Sequence, residues 1–267
     1  MSHGKMGAHP AGMRKTLILF LLVGLLSSLA TAEDITVASA ADLNYALKDL
    51  VVRFEKRTGY KVNLSFGASG NLFSQIQGGA PFDMFFSADV EYPEKLAAAG
   101  MVERDSLRTY AIGHLVLWVP ADSSLDPQKL KMDLLTEAAV QKIAVANPRH
   151  APYGRAAMAA LQHFGLKEKV ENKLVFGENI SQAAQFVQSG NAQAGLIALS
   201  LALSPAMKNS GKFWELPPDA YPELRQAVAI VSASRHKQPS KSFLDYVTSS
   251  EGRTILEQYG FRPPVSR

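Results

Sequence analysis

From residue 34 onward the chain alternates between two periodicities, and this limits its fold more than any other feature. Short apolar runs of strand length are followed by stretches whose apolar residues recur every three or four positions. Residues 34–38, Asp-Ile-Thr-Val-Ala, read as a strand. Next, Leu43, Ala46, Leu47, Leu50, Val51 and Phe54 fall on one helical face, with Gly59 as a stop. A strand at 61–66, a helix at 71–77, a strand at 82–86 and a helix at 90–99 continue the pattern. Further strands are predicted at 114–119, 142–146, 194–199 and 226–231, and helices at 153–164, 180–188, 240–247 and 251–259. Repeated strand–helix units predict an α/β fold of mainly parallel sheets flanked by helices. No linker rich in Gly or Pro divides the chain, so we expect two lobes joined by crossing strands. We place one lobe at 33–112 plus 230–267 and the other at 113–229. A ligand is expected in a cleft between them, beyond the carboxyl ends of the strands.

The first 32 residues have a different character. Met13-Arg14-Lys15 precedes an apolar run, Leu17 to Leu26, and an Ala-Thr-Ala end at Ala32. This is the pattern of a secretory signal peptide, and the run is too short for a permanent span of about 20 residues. Cleavage after Ala32 leaves 235 of the 267 residues. It also removes Lys5, Arg14 and Lys15 and no acidic residue, so the net charge falls from +4 to +1. The apparent case for a nucleic-acid partner disappears with the leader. The absence of cysteine excludes disulfides, thiolate metal sites and cysteine nucleophiles.

The sequence contains no Gly-x-Gly-x-x-Gly, P-loop or His-Glu-x-x-His motif. The four histidines beyond the leader, His114, His150, His163 and His236, show no paired metal spacing. Ser69 lies in Gly-Ala-Ser-Gly-Asn, not Gly-x-Ser-x-Gly, and no base accompanies it, which leaves a secreted serine hydrolase as a weak rival. What stands out is four strand-to-helix turns of small and hydroxyl residues, around Ala38–Asp42, Ser65–Gly70, Asn147–Gly154 and Gly177–Ser181. Helix starts leave N–H groups free and carry partial positive charge, so turns of this kind bind anions with neutral donors. Any one of them alone is ordinary turn chemistry.

Taken together, Val-Ala-Ser-Ala-Ala-Asp-Leu at 37–43, Leu-Ser-Phe-Gly-Ala-Ser-Gly-Asn-Leu at 64–72, Gly-Ala-Pro-Phe-Asp-Met-Phe-Phe-Ser-Ala-Asp at 79–89, Asn-Pro-Arg-His-Ala-Pro-Tyr-Gly at 147–154 and Gly-Glu-Asn-Ile-Ser at 177–181 resemble the periplasmic molybdate-binding proteins of ABC importers. The motifs run in the family's order from residue 34 to 261, ending in Tyr-Gly-Phe. The resemblance implies the two-lobed type II periplasmic-binding-protein fold and a molybdate or tungstate ligand. It implies no enzyme activity and no cofactor. The expected partners are a membrane permease and its ATPase, for a monomer working in the periplasm.

The same resemblance assigns ligand-binding roles to Ala41, Asp42, Ser69, Tyr153 and Ile180, with Ser39 as a further hydroxyl. It implies no direct side-chain ligand to the metal. Asp42 departs from the family, because a carboxylate repels a dianion; the expectation is that it caps its own helix instead. The family often has a tyrosine near Ala198, and Tyr153 is expected to supply that missing hydroxyl. Arg149, His150 and Arg155 are read as surface charge. Molybdate needs donors only, whereas phosphate carries a proton and needs an acceptor, so an Asp42 directed into the cleft would favour phosphate. Sulfate differs from molybdate mainly in size.

Overall fold

The computed structural model describes residues 1–4 and 34–264. The leader expected at 1–32 lies outside the described residues except for its first four. Among the described residues, ten strands form two five-stranded sheets. The first contains β1 (Asp34–Ala40), β2 (Lys61–Gly67), β3 (Met84–Ser87), β4 (Arg108–Gly113) and β10 (Leu224–Ile230), in the order β2-β1-β3-β10-β4. The second contains β5 (Leu115–Pro120), β6 (Ile143–Ala146), β7 (Leu174–Gly177), β8 (Ala194–Ala198) and β9 (Gly211–Glu215), in the order β7-β6-β8-β5-β9. In each sheet four strands run one way and one is reversed, β10 in the first and β5 in the second. The reversed strands are those reached by crossing from the other lobe. β10 lies wholly in the first sheet, so the return falls before Leu224 and not at residue 230. The reason is register: Ala227 to Ile230 pair with β3, and Leu224 to Val228 pair with β4.

Among the described residues, seven helices of eight or more residues flank the sheets: α1 (Asn44–Thr58), α2 (Ser69–Gln77), α3 (Glu91–Ala98), α4 (Pro152–His163), α5 (Ile180–Gln188), α6 (Lys237–Val247) and α7 (Ser250–Gln258). α1 buries Ala46, Leu47, Leu50, Val51 and Phe54 and stops at Gly59, which has φ +80° and donates to Glu55 O. Strand alternation sorts the first lobe into two cores, as period 2 requires. Ile35, Val37, Met84, Phe86, Val228 and Ile230 face one side with Phe54 and Phe243. Ala38, Phe85, Ala229 and Val231 face the other with Leu72, Ile76 and Leu96. The second lobe packs around Trp118, Leu117, Val145, Ala157 and Ile197. No described helix is long and apolar enough to cross a membrane.

β4, β7 and β9 have no counterpart in the sequence reading. All three are edge strands, each paired with one other strand, β4 being bridged in addition by Arg262 at Ile112. β7 and β9 are also largely half-exposed, so their apolar runs are short and broken.

Candidate functional site

The turns that follow β1, β2 and β3 meet the first residues of α4 and α5 from the opposite lobe. Ala41, Asp42, Ser69, Tyr153 and Ile180 line one pocket with a cavity volume of about 10 Å³, together with Ala40, Gly67, Ala68, Ala88, Ala151 and Pro152. None of these is Lys, Arg or His. That is about the space of one water, far below the roughly 300–1,000 Å³ of sites for drug-sized ligands, so only a small ligand suits the site. The starts of α2, α4 and α5 direct N–H groups without intrahelical acceptors to this region. Pro152 sits at the first position of α4, where its missing N–H costs nothing. The Asn179 side chain caps α5 by accepting from Gln182 N.

Hydrogen bonds across the cleft hold the lobes together. Gly70 N donates to His150 O at 2.8 Å. Ser181 Oγ donates to Ala41 O at 2.8 Å, and Ser200 Oγ to Asp42 O at 2.8 Å. The first-lobe turn thus has its carbonyls occupied by serines of the second lobe. Arg155 pairs with Asp89 and hydrogen-bonds the Tyr92 hydroxyl at 3.3 Å, so it joins the lobes and does not line the pocket. Arg149 is exposed and His150 half-buried, and neither lines the pocket. Ser39 is buried but stands apart from the lining, its hydroxyl donating to Ala40 O at 3.2 Å. Ala198 ends β8 outside the pocket. Ser69 Oγ accepts from Ala88 N at 3.0 Å, which leaves its own proton to donate; no imidazole lines the pocket to serve it as a base.

A scan against family models matches residues 35–262 to the family of bacterial extracellular solute-binding proteins. The chain belongs to that family. It is therefore a solute-binding protein rather than an enzyme. The molybdate-binding protein ModA of Azotobacter vinelandii is 39% identical over 245 residues, covering 92% of this chain and 96% of that protein. ModA of Rhodobacter capsulatus is 35% identical over 254 residues, covering 94% and 97%. The solved Azotobacter vinelandii periplasmic molybdate-binding protein superposes with a TM-score of 0.80 at 33% identity, covering 86% of this chain and 99% of that one. The two-lobed α/β architecture expected from the sequence is the architecture of these binding proteins.

Asp42 corrects the sequence reading. It is 1% exposed, and its side chain caps no helix. Gln226 on β10 intervenes: its Nε2 donates to Asp42 Oδ2 at 2.6 Å and lies 3.2 Å from the Tyr153 hydroxyl. The Tyr110 hydroxyl on β4 donates to Gln226 Oε1 at 2.6 Å and thereby sets the amide's orientation. Asp42 Oδ1 is buried with no hydrogen-bond partner. Burial pushes the Asp42 acid up to about 6, offset in part by the bond from Gln226. Burial also raises Tyr110 and Tyr153 well above the usual phenol range. Sequence reasoning missed Gln226 and Tyr110. The available signal was a lone glutamine inside the apolar run Leu-Arg-Gln-Ala-Val-Ala-Ile, because a buried polar residue needs a partner.

This arrangement has a stability consequence. A raised acid pKa means that the fold prefers neutral Asp42, so stability is lost as pH rises from about 4 through about 6. Asp42→Asn removes that loss. Without ligand, the variant is expected to gain on the order of 2–3 kcal/mol over the parent at pH 8 and little at pH 4. Thermal melting of both proteins at the two pH values checks this; a gap independent of pH would contradict it.

Proposed function

We propose that the protein is the periplasmic receptor of an ABC importer. On this reading it captures molybdate, and tungstate with it, between its lobes and hands the anion to a membrane permease driven by an ATPase. The observation that carries this is the convergence of five chain segments from two lobes on one buried pocket lined by no cation. Such a pocket selects a small, fully deprotonated oxyanion through neutral donors, each charge-assisted bond contributing roughly 1.5–3 kcal/mol. Ala41 and Ile180 act through backbone N–H groups, Ser69 through hydroxyl and N–H, and Tyr153 through its hydroxyl. The names carried by the Azotobacter and Rhodobacter relatives support molybdate, and the leader pattern supports export with cleavage near Ala32.

The unpartnered Asp42 oxygen is the one feature that a receptor for protonated phosphate would also use. Calorimetric titration of the mature protein with molybdate, tungstate, sulfate and phosphate separates the readings: tight one-to-one molybdate binding supports ours, and tight phosphate with silent molybdate sinks it. Ser69→Ala is expected to weaken molybdate by about tenfold to a hundredfold, the loss of one hydrogen bond to a charged ligand. An unchanged affinity in that variant would remove Ser69 from the site.

A further inference from the structure

Asp42 presents a chemical problem that the receptor reading alone leaves open. Asp42 is among the residues that line a pocket meant for a dianion, its carboxyl buried beside it, and no cation lies in the lining to offset that charge. Its two oxygens are not equivalent. Oδ2 accepts from Gln226 Nε2 at 2.6 Å, and the Tyr110 hydroxyl, at 2.6 Å from Gln226 Oε1, keeps that amide turned with its nitrogen toward Asp42. Oδ2 is therefore held as an acceptor. Oδ1 is buried without a partner. A proton on Oδ1 would give this unpartnered atom a hydrogen to donate and would remove the negative charge beside the pocket. Resting on the oxyanion-receptor reading, we infer that Asp42 enters the complex as a neutral carboxylic acid, so that capture of molybdate takes up one proton from solution.

The groups around Asp42 bring no cation to hold it ionised. From α4, Tyr153 faces it; from β4, Tyr110 acts on it through Gln226; from β10, Gln226 itself is uncharged. Tyr221 acts on Tyr153, and burial raises it as it raises the other two phenols. Asp89, which acts on Tyr110, is engaged by Arg155. The Asp42 acid already stands at about 6 before any dianion is present, burial being the main cause. An incoming dianion raises it further, since a like charge disfavours ionisation. The alternative occupant, monoprotonated phosphate, would bring its own hydrogen to an ionised Asp42 and take up none.

The test is calorimetric titration of the mature wild-type protein with sodium molybdate at pH 7.5, in buffers of different ionisation enthalpy. The expected result is an uptake approaching one proton per molybdate, with affinity falling toward tenfold per pH unit above neutrality. Asp42→Asn, which keeps a donor there but carries no titratable proton, should bind with zero uptake and a flat profile from pH 7 to 9. Tight wild-type binding with no proton uptake overturns the inference, as does full uptake persisting in Asp42→Asn. Should that variant fold poorly, the wild-type buffer series decides by itself. Absence of molybdate binding by the wild type at every pH would instead sink the receptor reading on which the inference rests.

Discussion

A valine at Gly70 is expected to weaken molybdate binding by about a hundredfold or more while leaving both lobes folded. Gly70 lies in the first turn of α2. A Cβ added there would stand 2.6 Å from the Tyr92 hydroxyl, 2.8 Å from His150 O and 3.1 Å from His150 Cα. The Tyr92 ring can swing away, but the His150 backbone belongs to the opposite lobe and is bonded to Gly70 N. Relief therefore comes by parting the lobes. Parting them strains the bonds from Ser181 to Ala41 and from Ser200 to Asp42, and it lets water reach the donors. Losing even two charge-assisted bonds at roughly 1.5–3 kcal/mol each is sufficient for that weakening. Titration with molybdate measures the loss, and a ligand-free melting point within a few degrees of the parent shows that the lobes still fold. Wild-type affinity in Gly70→Val would mean that the pocket works without the second lobe.

The second large effect is on stability. Phe54→Ala should cost about 3–5 kcal/mol, the usual penalty for emptying an aromatic site in a core. Phe54 is 1% exposed. Its ring centroid lies 4.9 Å from that of Phe243, 5.8 Å from Tyr246 and 6.2 Å from Tyr60. The contact ties α1, the first long helix of this lobe, to α6, one of its last, so the cavity opens where the two segments of the lobe meet. Urea unfolding of the ligand-free protein checks the value, and a loss below about 1 kcal/mol would show that the neighbouring rings close the gap.

Much of this was legible along the chain. The face of α1 follows from the spacing of Leu47, Leu50 and Phe54, and its end from Gly59, because amphipathic period and a left-handed stop are local properties. α5 starts at Ile180 and ends at Gln188 as the pattern predicts, since its asparagine cap and apolar stripe are both local. The edge strands β4, β7 and β9 were not legible, because pairing on one side imposes a weaker pattern than burial on both. Asp42 was misread for a related reason. Local chemistry favours an acid at a helix start as its own cap. The competing donor, Gln226, lies 184 residues away in sequence, and only strand pairing brings it to 2.6 Å.

By itself, the sequence determined the α/β class, the helix faces, the turns that carry small and hydroxyl residues, and the membership of Ala41, Asp42, Ser69, Tyr153 and Ile180 in one constellation. Those features depend on neighbours within a few positions, or on motifs that recur in order. Tertiary structure alone decided that β10 returns to the first sheet, that Gln226 and Tyr110 therefore stand behind Asp42, and that its carboxyl is buried at the pocket without a cation. The physical reason is that a buried group's protonation depends on the dielectric and the partners that packing assembles around it, and no local pattern encodes these.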